Sequence, residues 1–159
     1  MGKAGSAREQ GAGHGVEEVT RVYWDSMLFI YLLEAKPYYI KKIKRIHRTM
    51  LQRGDGLCTS VFTFGEVLTG LRKQKDEAGI RGVKEFMLSD EVEILPFNLE
   101  AADRYSMIRA ETRVSQADGI HLATAAAAGV DLFISNDDKL RTLVIPGIRF
   151  FSDLDGRVW

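Results

Sequence analysis

The chain is predicted to be an α/β protein, a three-layer α/β/α sandwich around a mainly parallel sheet of about four to five strands. Two observations predict it. Short apolar runs alternate with longer segments whose apolar residues recur at helical spacing. Strands separated by helices in this way pair in parallel, with helices covering both faces of the sheet. A length of 159 residues suits one domain of ordinary size, and 45% hydrophobic with 28% charged residues is the balance of a soluble globular protein.

Taken in order, MGKAGSAREQGAGHGVEE (residues 1–18) is rich in Gly and Ala, lacks apolar periodicity and is expected to be a disordered tail or leader, leaving 19–159 as one domain. Gly2 and Ser6 fit the short, common myristoylation pattern. The glycines of GAGHG follow no strand, so a phosphate-binding loop is excluded. TRVYWD is a short buried strand and MLFIYLLE a short helix. YYIKKIKRIHRTMLQ places Ile40, Ile43, Ile46, Met50 and Leu51 at helical spacing and ends at Arg53-Gly54. GLCTS is a second strand, and VFTFGEVLTGLRKQ a helix entered through Ser60. AGIRGVKEFML is a further helix, and VEILPF a strand closed by Pro96. LEAADRYSMIRAETR and SQADGIHLATAAAAG are two more helices; VDLFISND is the clearest strand, and IRFFSDL the last.

Lys plus Arg equals Asp plus Glu at 22 each, which counts against a protein that coats DNA. The single cysteine, Cys58, cannot form an internal disulfide and, in an apolar strand, is expected to be buried and inert. No stretch approaches a membrane span or a signal-peptide core, so a cytoplasmic protein is expected.

In open parallel sheets, sites lie outside the carboxyl ends of the strands. Asp25 ends the first strand and Asp137 ends DLFISND; Glu66 lies in the first turns of the helix after GLCTS. Asp118 opens SQADGIHLATAAAAG and joins them if its helix starts at that edge. Each acid also has a local explanation. Asp25 can cap the helix beginning at Met27, Asp118 completes a Ser-x-x-Asp capping box with Ser115, and Asp137 can cap a short helix DDKLRTL or be a turn residue. Glu66 can be an exposed helix position, although its surroundings beside Gly65 in VFTFGEVL look buried. Carboxylates gathered at one rim repel unless cations are supplied, and oxygen-only ligands suit Mg²⁺ or Mn²⁺. An acidic metal site is therefore expected.

These blocks resemble the PIN-domain nucleases, most closely the VapC-type toxins of toxin–antitoxin systems. WDSMLFIYLLE looks like their first motif, an Asp-Ser pair after strand one, and TSVFTFGEVLTG like the second, with its helical Glu. QADGIHLATAAAAGVDLFISNDDKL looks like the third and fourth together, and the similarity spans about residues 20–155. The resemblance implies Mg²⁺- or Mn²⁺-dependent cleavage of RNA, an antitoxin partner and a homodimer. By motif position Asp25, Glu66, Asp118 and Asp137 take the acidic roles, and Ser26, Ser135 and Asn136 fall where small polar support residues are usual. Two departures stand out. Gly119-Ile120-His121 stands where small or aliphatic residues are more usual, leaving the role of His121 open, and the N-terminal tail is longer than these compact toxins need.

Substrate affinity has to come from elsewhere, because acids repel phosphate. Between Ala35 and Gly54 stand seven Lys and Arg and no acid. Lys41, Lys44, Arg45 and Arg48 on this helix are the candidates for an RNA-backbone track, against a merely solvated face or a surface for an acidic partner peptide. His47 in the same helix is expected to be solvated, and Tyr23 and Trp24 beside Asp25 to be core rather than platforms for base stacking.

Three other functions share parts of this pattern. A phospho-receiver module needs a doubled acid after strand one and a Lys after the last strand, and IRFFSDLDGRVW has no Lys. A phosphatase with an Asp-x-Asp nucleophile fails at Met27, which takes the second acid's place. A PIN fold kept only for binding is the remaining alternative, against which all four acids are present.

Overall fold

Alternation along a strand sends successive side chains to opposite faces of a sheet, and here both faces are covered. A computed structural model of the chain describes residues 20–157 and Trp159. The tail expected over residues 1–18, with Gly2, lies outside the described residues. Five strands form one sheet: β1 (Arg21–Trp24), β2 (Gly56–Ser60), β3 (Glu93–Leu95), β4 (Leu132–Ile134) and β5 (Phe150–Ser152). Their order is β3-β2-β1-β4-β5, and every neighbouring pair is parallel. Among the described residues seven helices accompany them: α1 (Ser26–Leu33), α2 (Pro37–Arg53), α3 (Val61–Lys73), α4 (Glu77–Met87), α5 (Leu99–Glu111), α6 (Gln116–Ala128) and α7 (Asp138–Arg141). The expected α/β/α architecture is the one found.

The alternation in β1 organises two cores. Val22 and Trp24 point into a cluster with Leu28 and Phe29 of α1, Ile43, Ile46 and Met50 of α2, Val67 of α3 and Val83 of α4. Tyr23 points the other way, among Cys58, Ile108 of α5, Leu122 and the alanines of α6, and Phe133. The small residues of α6 let it approach closely. A Cβ on Gly119 would stand 3.0 Å from the Tyr105 ring of α5, and one on Gly147, at φ 100°, would meet the Ala126 carbonyl oxygen at 2.4 Å.

Helix ends follow their local signals. Pro37 starts α2, and Gly54 closes it in the left-handed conformation, φ 76°. Ser60 caps α3 by accepting the Thr63 N–H. Within α2 the periodicity overstates the buried face. Ile43, Ile46 and Met50 are buried, whereas Leu51 is 68% exposed in the last turn. His47, expected to be solvated, is half-buried and packs edge-on to Trp24 at 6.1 Å. It borders an apolar cavity of about 400 Å³ lined by Trp24, Phe29, Val67, Phe86 and Met87, with Lys44 beside it. Cys58 is buried, and burial pushes its thiol up to about 12. Among the described residues no helix is long and apolar enough to cross a membrane.

The strand order puts the point where connections diverge between β1 and β4. From β1 the chain winds outward through β2 and β3, then crosses to β4 on the other side. The carboxyl ends of β1 and β4 therefore border the crevice where sites in such sheets lie.

Candidate functional site

Asp25 and Ser135 are the first residues past β1 and β4, and the Asp25 N–H donates to the Ile134 carbonyl at 3.3 Å. This places both at the crevice. A pocket of about 610 Å³ opens there, lined by Asp25, Ser26, Glu66, Asp118, Ser135, Asn136, Asp137 and His121, with Asp138 and Lys139 at its α7 side. The four acids and three small polar residues expected from the sequence all line this one pocket. Lys41, Lys44, Arg45 and Arg48 do not; they are exposed on α2, and Lys44 borders the apolar cavity instead.

The local and the functional explanations of the acids prove compatible. Asp25 is the N-cap of α1, its Oδ1 accepting the Met27 N–H at 3.0 Å, and it also lines the pocket. Asp137 caps α7 by accepting the Lys139 N–H at 2.9 Å. Ser115 caps α6 by accepting the Asp118 N–H at 3.1 Å, which fixes Asp118 in the first turn at the pocket. Among the described residues the Asp118 carboxylate makes no hydrogen bond, so the reciprocal half of the capping box is not formed. Capping directs a carboxylate toward the helix N-terminus, and three of these helices start at the sheet's carboxyl edge.

Electrostatically the pocket is heavily negative. Five carboxylates face Lys139 and the imidazole of His121. Asp25 is 8% exposed, and its burial raises its carboxyl above the ordinary range. The nearby Ser135 hydroxyl, the His121 ring and the Met27 N–H oppose that rise, and the Asp118 charge adds to it. A buried carboxylate hemmed in by others is a group in want of a cation. An oxygen-only donor set of this kind fits a hard divalent ion. Among the described residues no three His, Cys, Asp or Glu side chains converge closely enough to hold an ion as they stand.

Glu66 is held differently. It lies in the second turn of α3, half-buried beside exposed Gly65 rather than in the buried surroundings its sequence suggests. Its Oε1 accepts from His121 Nε2 at 2.6 Å, and His121 Nδ1 bonds the Tyr23 hydroxyl at 2.7 Å. The part of His121, open from the sequence, is thus contact with an acid of the pocket. Tyr23, expected as core, adds through its hydroxyl a polar partner that no sequence spacing announces. Asp138 and Lys139 also line the pocket, and the doubled acid of SNDDK is their visible sign in the sequence.

A family model described as the PIN domain matches residues 22–144. No curated protein matches the chain by sequence. Among solved structures, VapBC2 from Rickettsia felis bound to a promoter DNA fragment is 15% identical with a TM-score of 0.64, covering 84% of this chain and 98% of its own. A toxin–antitoxin complex from Klebsiella pneumoniae is 22% identical with a TM-score of 0.60, covering 80% and 94%. VapC20 from Mycobacterium tuberculosis, a toxin that cleaves the sarcin–ricin loop, is 16% identical with a TM-score of 0.62, covering 77% and 96%.

Proposed function

Because the chain belongs to the PIN-domain family, we propose that it is a Mg²⁺- or Mn²⁺-dependent endoribonuclease and the toxin of a toxin–antitoxin pair. The observation that carries this reading is the meeting of Asp25, Glu66, Asp118 and Asp137 in one pocket at the β1–β4 crevice. Asp25, Asp118 and Asp137 are the side chains that would hold the ion, and Glu66 would hold a second ion or orient a water. When bound, the ion supplies positive charge to the phosphate and acidifies a water. The protein's own part is to keep these carboxylates at the rim: capping bonds hold Asp25 and Asp137, and the Ser135 hydroxyl accepts the Asp137 N–H at 3.1 Å. Ser26 and Asn136 add polar lining. The test is cleavage of structured and single-stranded RNAs with and without Mn²⁺, cut sites mapped. Metal-dependent cuts are expected, and cutting that is unchanged in chelator removes the reading.

The partner belongs to the same proposal. The toxin–antitoxin complex from Klebsiella shares the fold, and the apolar cavity beside the basic face of α2 suits a segment that is apolar and acidic. Exposed Leu99 and Met107 on α5 leave apolar surface for a second copy in a homodimer.

Two roles for the basic face are separable. If Lys41, Lys44, Arg45 and Arg48 track RNA phosphates, changing all four to Gln weakens binding roughly uniformly across sequences. The slope of log affinity against log salt then becomes shallower by about 0.7 for each single-strand phosphate no longer neutralised. The place of Lys44 at the apolar cavity favours the second role, a partner surface. That role predicts an unchanged slope together with a loss of antitoxin binding. Measuring both affinities across salt on the one variant decides between them.

A further inference from the structure

Glu66 has more rotamer freedom than an aspartate, and a helix position in the second turn does not by itself aim it. In this fold it is aimed by two residues from other elements. His121, on α6, is 4% exposed and lies 55 residues away in the chain; Tyr23, on β1, is fully buried. The ring of Tyr23 stacks on Phe133 at 4.7 Å, and Phe62 packs against the imidazole at 5.4 Å, so neither ring is free to turn.

Donor and acceptor capacity settles the direction of the bonds. A carboxylate only accepts, so His121 Nε2 donates to Glu66. In the neutral ring Nδ1 then accepts, and the Tyr23 hydroxyl donates to it. Burial pushes the Tyr23 phenol well above its ordinary range, which keeps that proton on the oxygen, while the Ser60 and Thr63 hydroxyls lie against it. In the imidazolium Nε2 donates all the same, so the hold on Glu66 does not depend on the protonation of the ring.

We propose that Tyr23 and His121 form a positioning pair that holds one oxygen of Glu66 and fixes the orientation of its carboxylate at the acidic pocket. The proposal rests on the metal-site reading above for its effect on metal affinity, but not for the hydrogen bonds themselves. Partners that orient a metal-binding side chain typically contribute about 10–100-fold to affinity or activity.

The test uses the full chain and Mn²⁺ as probe. Gln carries its Nε2 as many bonds from the backbone as His does, whereas the Asn amide reaches only the Nδ1 position. His121→Asn should therefore weaken Mn²⁺ binding about tenfold or more. His121→Gln should recover most of it, and Tyr23→Phe should fall between. A histidine that merely fills space predicts that Gln and Asn behave alike, with Mn²⁺ affinity following melting temperature; that outcome, or equal affinity in all variants, overturns the proposal. A second arm needs no metal. Nitrogen-15 correlation spectra of the metal-free chain at pH 8 should show the His121 proton on Nε2, and a proton on Nδ1 with Nε2 bare overturns the pair even where Mn²⁺ binds. Conversely, an Nε2 proton in a chain that binds no Mn²⁺ leaves the pair standing and overturns the metal reading instead.

Discussion

Asp25→Asn is expected to abolish RNA cleavage while leaving the fold at least as stable. Asn is as good an N-cap as Asp, so the bond from the Met27 N–H survives and α1 keeps its start. What disappears is a buried negative charge. In the metal-free protein that charge is costly, because burial and the neighbouring Asp118 both raise the Asp25 carboxyl. The melting temperature in chelator should therefore hold or rise. Cleavage should fall by at least about 10²–10³-fold, the scale of one preorganised charged contact at a reacting centre. The sign of the pH dependence follows from the same shift. A carboxyl whose folded pKa lies above its unfolded value favours the folded state below the unfolded pKa, and that advantage is lost as pH rises through the folded pKa. Chelated wild-type protein should lose this contribution as pH climbs above the ordinary aspartate range, and the Asn variant should not. Thermal melts across pH, alongside cleavage assays, read both effects. A variant that melts earlier in chelator yet still cuts RNA removes Asp25 from the chemistry.

Mn²⁺ should raise the melting temperature of the wild-type chain. Ligand at about 100 times its Kd stabilises the folded state by about 2.7 kcal/mol. For a chain of this size that corresponds to roughly 5–10 °C. The stabilisation should be largest where Asp25 is ionised, because the ion offsets the cost of a carboxylate that is buried and set beside the Asp118 charge. Asp118→Asn and Asp137→Asn should each lose most of it. Asp138→Asn is the informative comparison, since Asp138 lines the same pocket but is mostly exposed and pairs with Arg141. Its shift should remain near the wild-type value. Differential scanning fluorimetry over a Mn²⁺ series distinguishes these variants. Equal shifts in all three would mean that the ion binds away from the proposed carboxylates.

The ends of the elements explain much of the agreement between sequence and structure at this site. Asp25, Ser60, Ser115 and Asp137 are all cap residues, and capping is a local rule that sequence displays directly. Once the strands are parallel, the helices that follow β1, β2 and β4 start at the same edge, and residues at those starts meet without further information. The place of Asp118 is conditional on where α6 begins, and that beginning rests on the packing of α6 against α5 and the sheet.

The sequence by itself determined the strands, the helices, the parallel pairing and the identity of the acids, because each is written in periodicities and caps spanning a few residues. It did not determine which polar groups meet through the core. Tyr23 and His121 are 98 residues apart and meet because one side of β1 faces α6. Nor did it show that Leu51 stays exposed while Ile46 is buried, or that His47 edges onto Trp24. Helical spacing reports the angle at which a side chain leaves its axis, and only the neighbouring element decides whether anything lies there to cover it. The same holds for the basic face of α2: its charge is local, but that its lysines and arginines line none of the acidic pocket was decided by where α2 packs, in the Trp24 cluster rather than with α6.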